Sequence, residues 1–399
     1  MPESLLAFDY QPMTRVVFGP GTLARLGQLT AELGGRRVLL VTDPGLERAG
    51  HPQRAVGYLE AAGLSVTVFD QVEENPTSRH VDAGLAVAKT ERIDFIVAVG
   101  GGSAMDTAKG INFLYTNGGK MADYWGTGKA SRPMLPSIGV PTTAGTGSEA
   151  QSYALIADPE SHLKMACGDK KAAFRVALLD PELTVTQPAQ VTADTGIDAI
   201  SHAVESFVTT KRSPFAQMCA REAWELLSRH FPTVLREPSN LEARSGMQLG
   251  AHLAGMAIEN SMLGATHALA NPLTAHYGLP HGQAISLMLP HVVLFNFETV
   301  GSLYAELVGG DVSTAGRILA DRLHGFALAA GHPQNLAACG VSPDILPVLA
   351  EEASGQWTGR FNPRPVGHSE LLSLYQAAWH GYNGERLGHA VGTTSKPRL

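Results

Sequence analysis

From about residue 13 to 183, short apolar runs alternate with stretches whose apolar residues recur at helical spacing. The runs Arg37 to Thr42, Ser65 to Phe69, Phe95 to Val99, Leu135 to Val140 and Val176 to Leu179 predict strands, and their lack of strict apolar/polar alternation predicts burial on both faces. Residues 51–62, 79–91 and 103–115 predict the helices between them, an order that builds a parallel sheet with helices on its faces. Beyond residues 180–190, which hold two prolines and few core positions, the pattern changes to long Ala- and Leu-rich helices over Thr192 to Val208, Pro214 to His230 and Leu241 to Asn260. The expected fold class is therefore α/β plus all-α, with one domain over residues 1–187 and a helical one over 188–399. The tail after about residue 385 is expected to be loosely ordered.

Composition narrows the class. A chain of 399 residues, 44% of them hydrophobic, can bury two cores. Charged residues are only 17% and the net charge is -7, which excludes the clustered cation excess of a nucleic-acid surface. Cys167, Cys219 and Cys339 are odd in number and far apart, so they form no disulfide framework and fit a reducing cytoplasm. The first ten residues lack a basic segment followed by an apolar one, and no run reaches 18 uninterrupted apolar residues. The expectation is a protein that is neither secreted nor membrane-bound.

Chemistry enters at two places. Val97-Ala98-Val99-Gly100-Gly101-Gly102-Ser103 reads as a buried strand running through glycines into a helix, a junction where free N–H groups and the helix dipole make an anion site suited to a pyrophosphate. It is not the G-x-G-x-x-G fingerprint. Pro141-Thr142-Thr143-Ala144-Gly145-Thr146-Gly147-Ser148-Glu149 follows a second strand and brings hydroxyls and glycine amides to the same edge, where open α/β sheets bind ligands. Asp43 ends another strand. It can accept hydrogen bonds from a ribose diol and would repel a 2'-phosphate, favouring NAD over NADP, or it can simply cap the turn at Pro44-Gly45. The first domain is accordingly expected to bind a nucleotide.

The second place lies among the helices. Asp198 and His202 are spaced i,i+4, which stacks both on one helix face. His267, Asn271, His276 and His281 follow within fifteen residues rich in Ala, Gly and Pro. One carboxylate and three imidazoles, Asp198, His202, His267 and His281, make a donor set for Zn(II) or Fe(II). A lone histidine among the fifteen of this chain would carry no such weight, and His291, without a partner nearby, reads as structural. Between Arg244 and Arg317 there is no Lys or Arg, which favours a neutral alcohol or aldehyde over a phosphorylated or dicarboxylate substrate, although Lys164, Arg360 or Arg364 could supply a cation from elsewhere. Beside a nicotinamide, such an ion has the role of a Lewis acid on the substrate oxygen.

Together these motifs resemble the iron-containing (group III) alcohol dehydrogenases over nearly the whole length. The resemblance runs from Val17-Phe18-Gly19-Pro20-Gly21 through Gly100 to Ser103, Pro141 to Glu149, Asp180 to Thr184 and Asp198 to Glu205, and on to Leu279-Pro280-His281-Gly282 and Asn362-Pro363-Arg364. It implies a nucleotide-binding α/β domain and a helical metal-binding and substrate domain, with Asp198, His202, His267 and His281 on one divalent ion. It also implies that Asp43, Asn75, Gly101, Gly102, Ser103, Thr142, Thr143 and Lys164 line the cofactor, that His267, His281 and Asn271 stand at the reacting centre, and that the protein is a homodimer or larger homo-oligomer. One departure is visible: where many members carry a second histidine, four residues after the first of the later ligands and close to substrate, this chain has Asn271, which cannot titrate as imidazole does. His276 is a weak alternative for proton exchange. Related activities of the same superfamily, hydroxyacid-oxoacid transhydrogenase and maleylacetate reductase, need acidic substrates, and a lyase like dehydroquinate synthase needs a cationic phosphate pocket. A non-catalytic nucleotide-binding protein would bind no metal at all.

Overall fold

A computed structural model describes residues 6–160 and 163–384, and the tail expected to be loosely ordered lies outside the described residues. The chain forms two compact units, Met1–Gly264 with Pro280–Gly282, and Ala265–Leu279 with Gln283–Leu399.

The first unit opens with β1 (Arg15–Phe18), α1 (Leu26–Glu32), β2 (Arg37–Val41), α2 (Pro44–Ala49), α3 (His51–Ala61), β3 (Ser65–Phe69), α4 (Ser78–Thr90), β4 (Phe95–Gly100) and α5 (Gly102–Asn117). It continues with β5 (Gly126–Thr127), β6 (Ser137–Pro141), β7 (Tyr153–Ala157), β8 (Lys164–Gly168) and β9 (Val176–Leu179), then α6 (Ala189–Val208), α7 (Pro214–Arg236) and α8 (Leu241–Glu259). Six strands form one parallel sheet in the order β1-β9-β6-β4-β2-β3. Successive residues of β2 and β4 enter opposite cores. Val38, Leu40, Phe95 and Val97 pack with Leu26, Leu29, Ala55 and Leu59, whereas Leu39, Val41, Ile96 and Ala98 pack with Val81, Ala88, Met105 and Ile111. Both faces are apolar, which is why the strands show no polar alternation.

Three differences from the expected elements have local causes. The strand read as Leu135 to Val140 starts at Ser137, because the Leu135 N–H donates to Asn112 Oδ1 at 3.0 Å and its carbonyl accepts from Asn112 Nδ2 at 2.9 Å, outside the ladder. Helix α7 runs through Pro232 to Arg236, since burial of Phe231 and Val234 on either side outweighs the lost backbone bond. The strands β1, β5, β7 and β8 escaped the pattern. β1 is an edge with one buried residue, β5 has two residues, and β7 alternates only Ala154 and Ile156 inward.

The change from sheet to helix falls near residue 188, but compactness keeps α6, α7 and α8 with the sheet. The cause is the loop after β6. Its Gly147 lies so close to Gly255 of α8 that a β-carbon on Gly147 would stand 2.7 Å from the Gly255 Cα. Gln248 Nε2 donates to the Pro141 carbonyl at 3.0 Å, and His252 Nδ1 meets Glu149 Oε1 at 3.0 Å. From the other side, fully buried Lys109 of α5 donates to the Ser148 carbonyl (2.7 Å), Ser148 Oγ (2.8 Å) and the Tyr153 carbonyl (2.7 Å), while Ser148 Oγ donates to Asp106 Oδ1 (2.6 Å). Burial pushes the Lys109 ammonium down and the Asp106 carboxyl up. Three acceptors around Nζ nevertheless match the three donors of an ammonium, so the pair stands as ions.

The second unit is helical: α9 (Ala265–Tyr277), α10 (His281–Val308, whose first two residues belong to the first unit), α11 (Val312–Ala329), α12 (Leu346–Gly355) and α13 (His368–His380). α10 has the length and composition to cross a membrane, yet 72% of its most apolar window is buried inside the protein. His291 on α10 is buried beside His324 and edge-on to Tyr382, and this burial pushes its pKa down to about 4.

Two outcomes are expected. Lys109→Met strands the Asp106 carboxylate in the interior and should cost about 3–5 kcal/mol, whereas adding Asp106→Leu should recover part of that loss; urea denaturation midpoints measure both. An unfolded His291 takes a proton near pH 6.5 but the folded one only near 4, so its contribution to stability is complete above pH 6.5 and is lost as pH falls through that window. A thermal melting series from pH 7 to 4 should decline less steeply for His291→Gln than for the parent.

Candidate functional site

The sheet reverses its winding between β2 and β4, since β3 and β6 lie on their outer sides. Ligands of open α/β folds enter the crevice at such a point, beyond the carboxyl ends of the strands. The sequence places Asp43 after β2 and Gly101 to Ser103 after β4, so both candidates border this crevice. Asp43 caps α2, with Oδ1 accepting from Gly45 N at 2.8 Å and Leu46 N at 3.1 Å. The capping alternative thus holds for one oxygen. Its Oδ2 faces Gly100, 3.6 Å from where a β-carbon there would stand.

Gly101 caps α5 and Gly102 opens it, which aims the first free N–H groups of a sixteen-residue helix at the crevice. Only the second of these glycines is needed for space, since a β-carbon on Gly101 would make ordinary contact. A β-carbon on Gly102 would stand 2.8 Å from Thr146 Cγ2, and one on Gly101 would stand 3.4 Å from Thr143 Cγ2. Ser103 follows in the first turn of α5, and buried Thr142 donates its N–H to the Gly100 carbonyl at 3.0 Å. Asn75 adopts a left-handed conformation (φ 54°) that asparagine tolerates, and its Oδ1 accepts from Lys164 Nζ at 3.4 Å. The glycine turn and threonine loop therefore meet, as do Asn75 and Lys164.

A second cluster of the first unit lies at α6. Asp198 and His202 are both buried, and Asp198 Oδ1 is 3.2 Å from His202 Nε2 and 3.6 Å from His281 Nε2. His281, the first residue of α10, gets there because residue 282 is glycine: a β-carbon at Gly282 would stand 2.1 Å from the Asp194 carbonyl of α6. The chain can press against α6 one turn before Asp198 only without a side chain.

His267 and Asn271 sit in the second unit. His267 is buried near the start of α9, and Asn271, one turn on, shares its face. Asn271 Nδ2 donates to Gln356 Oε1 at 3.0 Å. His276 lies nine residues beyond His267, half a turn away at about 100° per residue, and is held by Glu352 at 2.8 and 2.9 Å. It is off the face that His267 and Asn271 share.

Thr146, Gly282 and Gln356 were not singled out from the sequence. Thr146 sits inside the threonine-glycine motif, and Gly282 directly follows a candidate ligand. Gln356 has no sequence signal, because its importance comes from a contact 85 residues distant in the chain.

Comparison with known proteins extends these observations over most of the chain. Alcohol dehydrogenase 4 of Schizosaccharomyces pombe is 37% identical over 368 residues, covering 91% of this chain and 87% of that protein. The NAD-dependent methanol dehydrogenase of Bacillus methanolicus is 34% identical over 370 residues, covering 91% and 97%. Among solved structures, a 1,3-propanediol oxidoreductase superposes with a TM-score of 0.90 at 34% identity, covering 94% of this chain and all of that one. Residues 13–181 match the profile of iron-containing alcohol dehydrogenase, and residues 192–379 match the C-terminal profile of the same family. With the six-stranded sheet, the glycine turn and the Asp198-His202 pair all falling inside those spans, the chain belongs to the iron-containing alcohol dehydrogenase family.

Proposed function

We propose that the protein interconverts a small neutral alcohol and its aldehyde with NAD, using one divalent ion held by Asp198, His202, His267 and His281. The observation that carries this reading is the convergence of His202 and His281 on Asp198 Oδ1, at 3.2 and 3.6 Å, in a buried corner of α6. A carboxylate and imidazoles suit Fe(II), the ion of the family name, and also Zn(II). His267, from the second unit, is the fourth donor. When bound, the ion supplies Lewis acidity at the reacting oxygen, and the nicotinamide supplies or accepts the hydride.

The chain's own groups then have separable tasks. Gly101 and Gly102 offer backbone N–H groups to the pyrophosphate at the start of α5, with Ser103, Thr142 and Thr143 as hydroxyl donors around it. Asp43 Oδ2 accepts from the ribose diol, and its charge disfavours the 2'-phosphate of NADP. Asn75 and Lys164 close the outer side. Asn271 holds substrate by hydrogen bonds without titrating, and with His276 bound to Glu352 the proton passes to solvent. A neutral substrate is supported by the commitment of Arg364, whose guanidinium stacks on Phe295 at 4.1 Å and bonds its carbonyl and Glu298.

Free, buried Cys167 and Cys219, with thiols pushed up to about 12 and about 11 by burial, support a reducing cytoplasm. Exposed Val16 and Phe18 on the edge strand β1, with Leu6 and Phe8 before it, support a homo-oligomer.

Metal analysis of anaerobically purified protein, paired with an NADH-linked screen of small alcohols, aldehydes and keto acids, tests the reading. Asp198→Asn and His281→Ala should each deplete bound metal and lower kcat/KM by more than about 100-fold, beyond what loss of outer-shell support does. Metal-free protein with full activity in chelator would sink the ion, and a preference for dicarboxylates would sink the neutral substrate. Gly102→Ala should raise the KM for NAD by roughly tenfold while metal content stays at the parent level, because the added methyl meets Thr146 rather than the α6 cluster.

A further inference from the structure

We infer that the cleft between α8 and the segment just before β1 is an effector site for a short linear alkyl diamine, linked to the cofactor loop through His252 and Glu149. The cleft lies wholly within the first unit and holds about 370 Å³ of empty space, its open mouth included, which suits a small ligand. Gln11 and Met13 line one side of it, and His252, Met256, Glu259 and Asn260 line the other.

Each end of the cleft offers acceptors. His252 is 1% exposed, and its Nδ1 stands 3.0 Å from Glu149 Oε1. A carboxylate oxygen only accepts, so Nδ1 carries the proton. Nε2, which is buried and meets no hydrogen-bond partner, is then the accepting nitrogen of a neutral ring. Seven residues on, Glu259 Oε1 accepts from Ser152 Oγ at 2.6 Å and Oε2 from Ser152 N at 3.0 Å, and each oxygen keeps a further lone pair. Asn260 Nδ2 is spent on the Met256 carbonyl at 2.8 Å, so its Oδ1 adds an acceptor at that end. Met256, four residues after His252 and three before Glu259, shares their face of α8 and gives the middle of the cleft an apolar floor, with Met13 opposite.

Charge and spacing choose the ligand. Burial pushes the Lys109 ammonium down while Asp106, Glu259 and Glu149 all pull it up, so one buried cation faces three carboxylates. None of the described residues lining the cleft is Lys or Arg, and a bound cation offsets the excess of acid. Seven residues of helix rise about 10 Å, too far for one ion to touch both His252 and Glu259. Two hydrogen bonds of about 2.9 Å leave roughly 5 Å for the ligand itself, the span of three or four carbons between two amines. One ammonium donates to His252 Nε2, the other pairs with Glu259, and the methylenes lie on Met256.

Glu149 closes the loop that runs from Pro141 through Thr143 and Thr146, so a ligand on His252 pulls on the groups that hold NAD. That link rests on the reading above, in which the loop binds the cofactor. Coupling is reciprocal, and NAD and diamine change each other's affinity by the same factor.

Calorimetry on the metal-loaded protein compares 1,4-diaminobutane with 1-butylamine, with and without saturating NAD. The diamine should bind at least about tenfold tighter than the monoamine, the worth of a second charged hydrogen bond, and NAD should change its affinity by about fivefold or more. Glu259→Gln keeps an acceptor for Ser152 but loses the charge, and it should bring the two amines to similar affinity. Gln11→Lys sets a cation on the exposed rim, where it leaves the core untouched, and should weaken the diamine by about threefold. Equal binding of the two amines by the parent, or a diamine affinity unmoved in either variant, overturns the site. A diamine that binds without changing NAD affinity overturns the effector role. A protein that binds no NAD overturns the nucleotide reading instead, while the amine comparison still decides the site.

Discussion

The loop from Pro141 to Glu149 is clamped from two sides, and the first unit is organised around that clamp. On one side Lys109 and Asp106 of α5 grip Ser148 through a buried ion pair, and on the other α8 comes close enough for Gly147 and Gly255 to touch backbone to backbone. Because α5 also begins at Gly102, the groups that fix the loop and the groups that face the crevice belong to one rigid helix. A buried ion pair is weak evidence for net stability, and its value here is positional: it sets where Thr143 and Thr146 stand relative to the glycine turn. The same clamp explains why three helices from the Ala- and Leu-rich half of the chain pack with the sheet.

The α6 corner follows a different constraint, close approach of main chain. An i,i+4 pair needs only a helix, and α6 provides one. Bringing His281 to it requires the start of α10 to press on the backbone of α6 at Asp194, which Gly282 alone permits. The dipeptide His281-Gly282 is therefore a single device, a donor with the clearance that delivers it.

Much of this was legible in the chain. Strands buried on both faces announce themselves by unbroken apolar runs, so β2, β4 and β9 were placed almost residue for residue, the edge strand β3 was placed as well by its β-branched and aromatic residues, and the helical spacing of Asp198 and His202 predicts the pairing at 3.2 Å. The remainder was hidden for physical reasons. An edge strand such as β1 buries too little to leave a pattern, Asn112 overrides the ladder at Leu135 by a side chain 23 residues away, and Gln356 matters through one contact with α9. Asp43 shows the limit of reading a residue as one thing: Oδ1 caps α2 while Oδ2 faces Gly100, so capping and ligand binding are compatible.

Asn271 is consistent with the charge pattern around it. No Lys or Arg occurs between residues 244 and 317, Arg364 is spent on Phe295 and Glu298, and His276 is tied to Glu352. A histidine at position 271 would have been the one titrating group on its helix face beside His267, gaining and losing charge near neutral pH. Asparagine gives that position hydrogen-bonding capacity without charge, and Gln356 fixes which of its atoms points outward. Hydrogen bonding by Asn271 therefore works by matching donors to acceptors, and unlike an imidazole the amide has no charge to gain or lose near neutral pH.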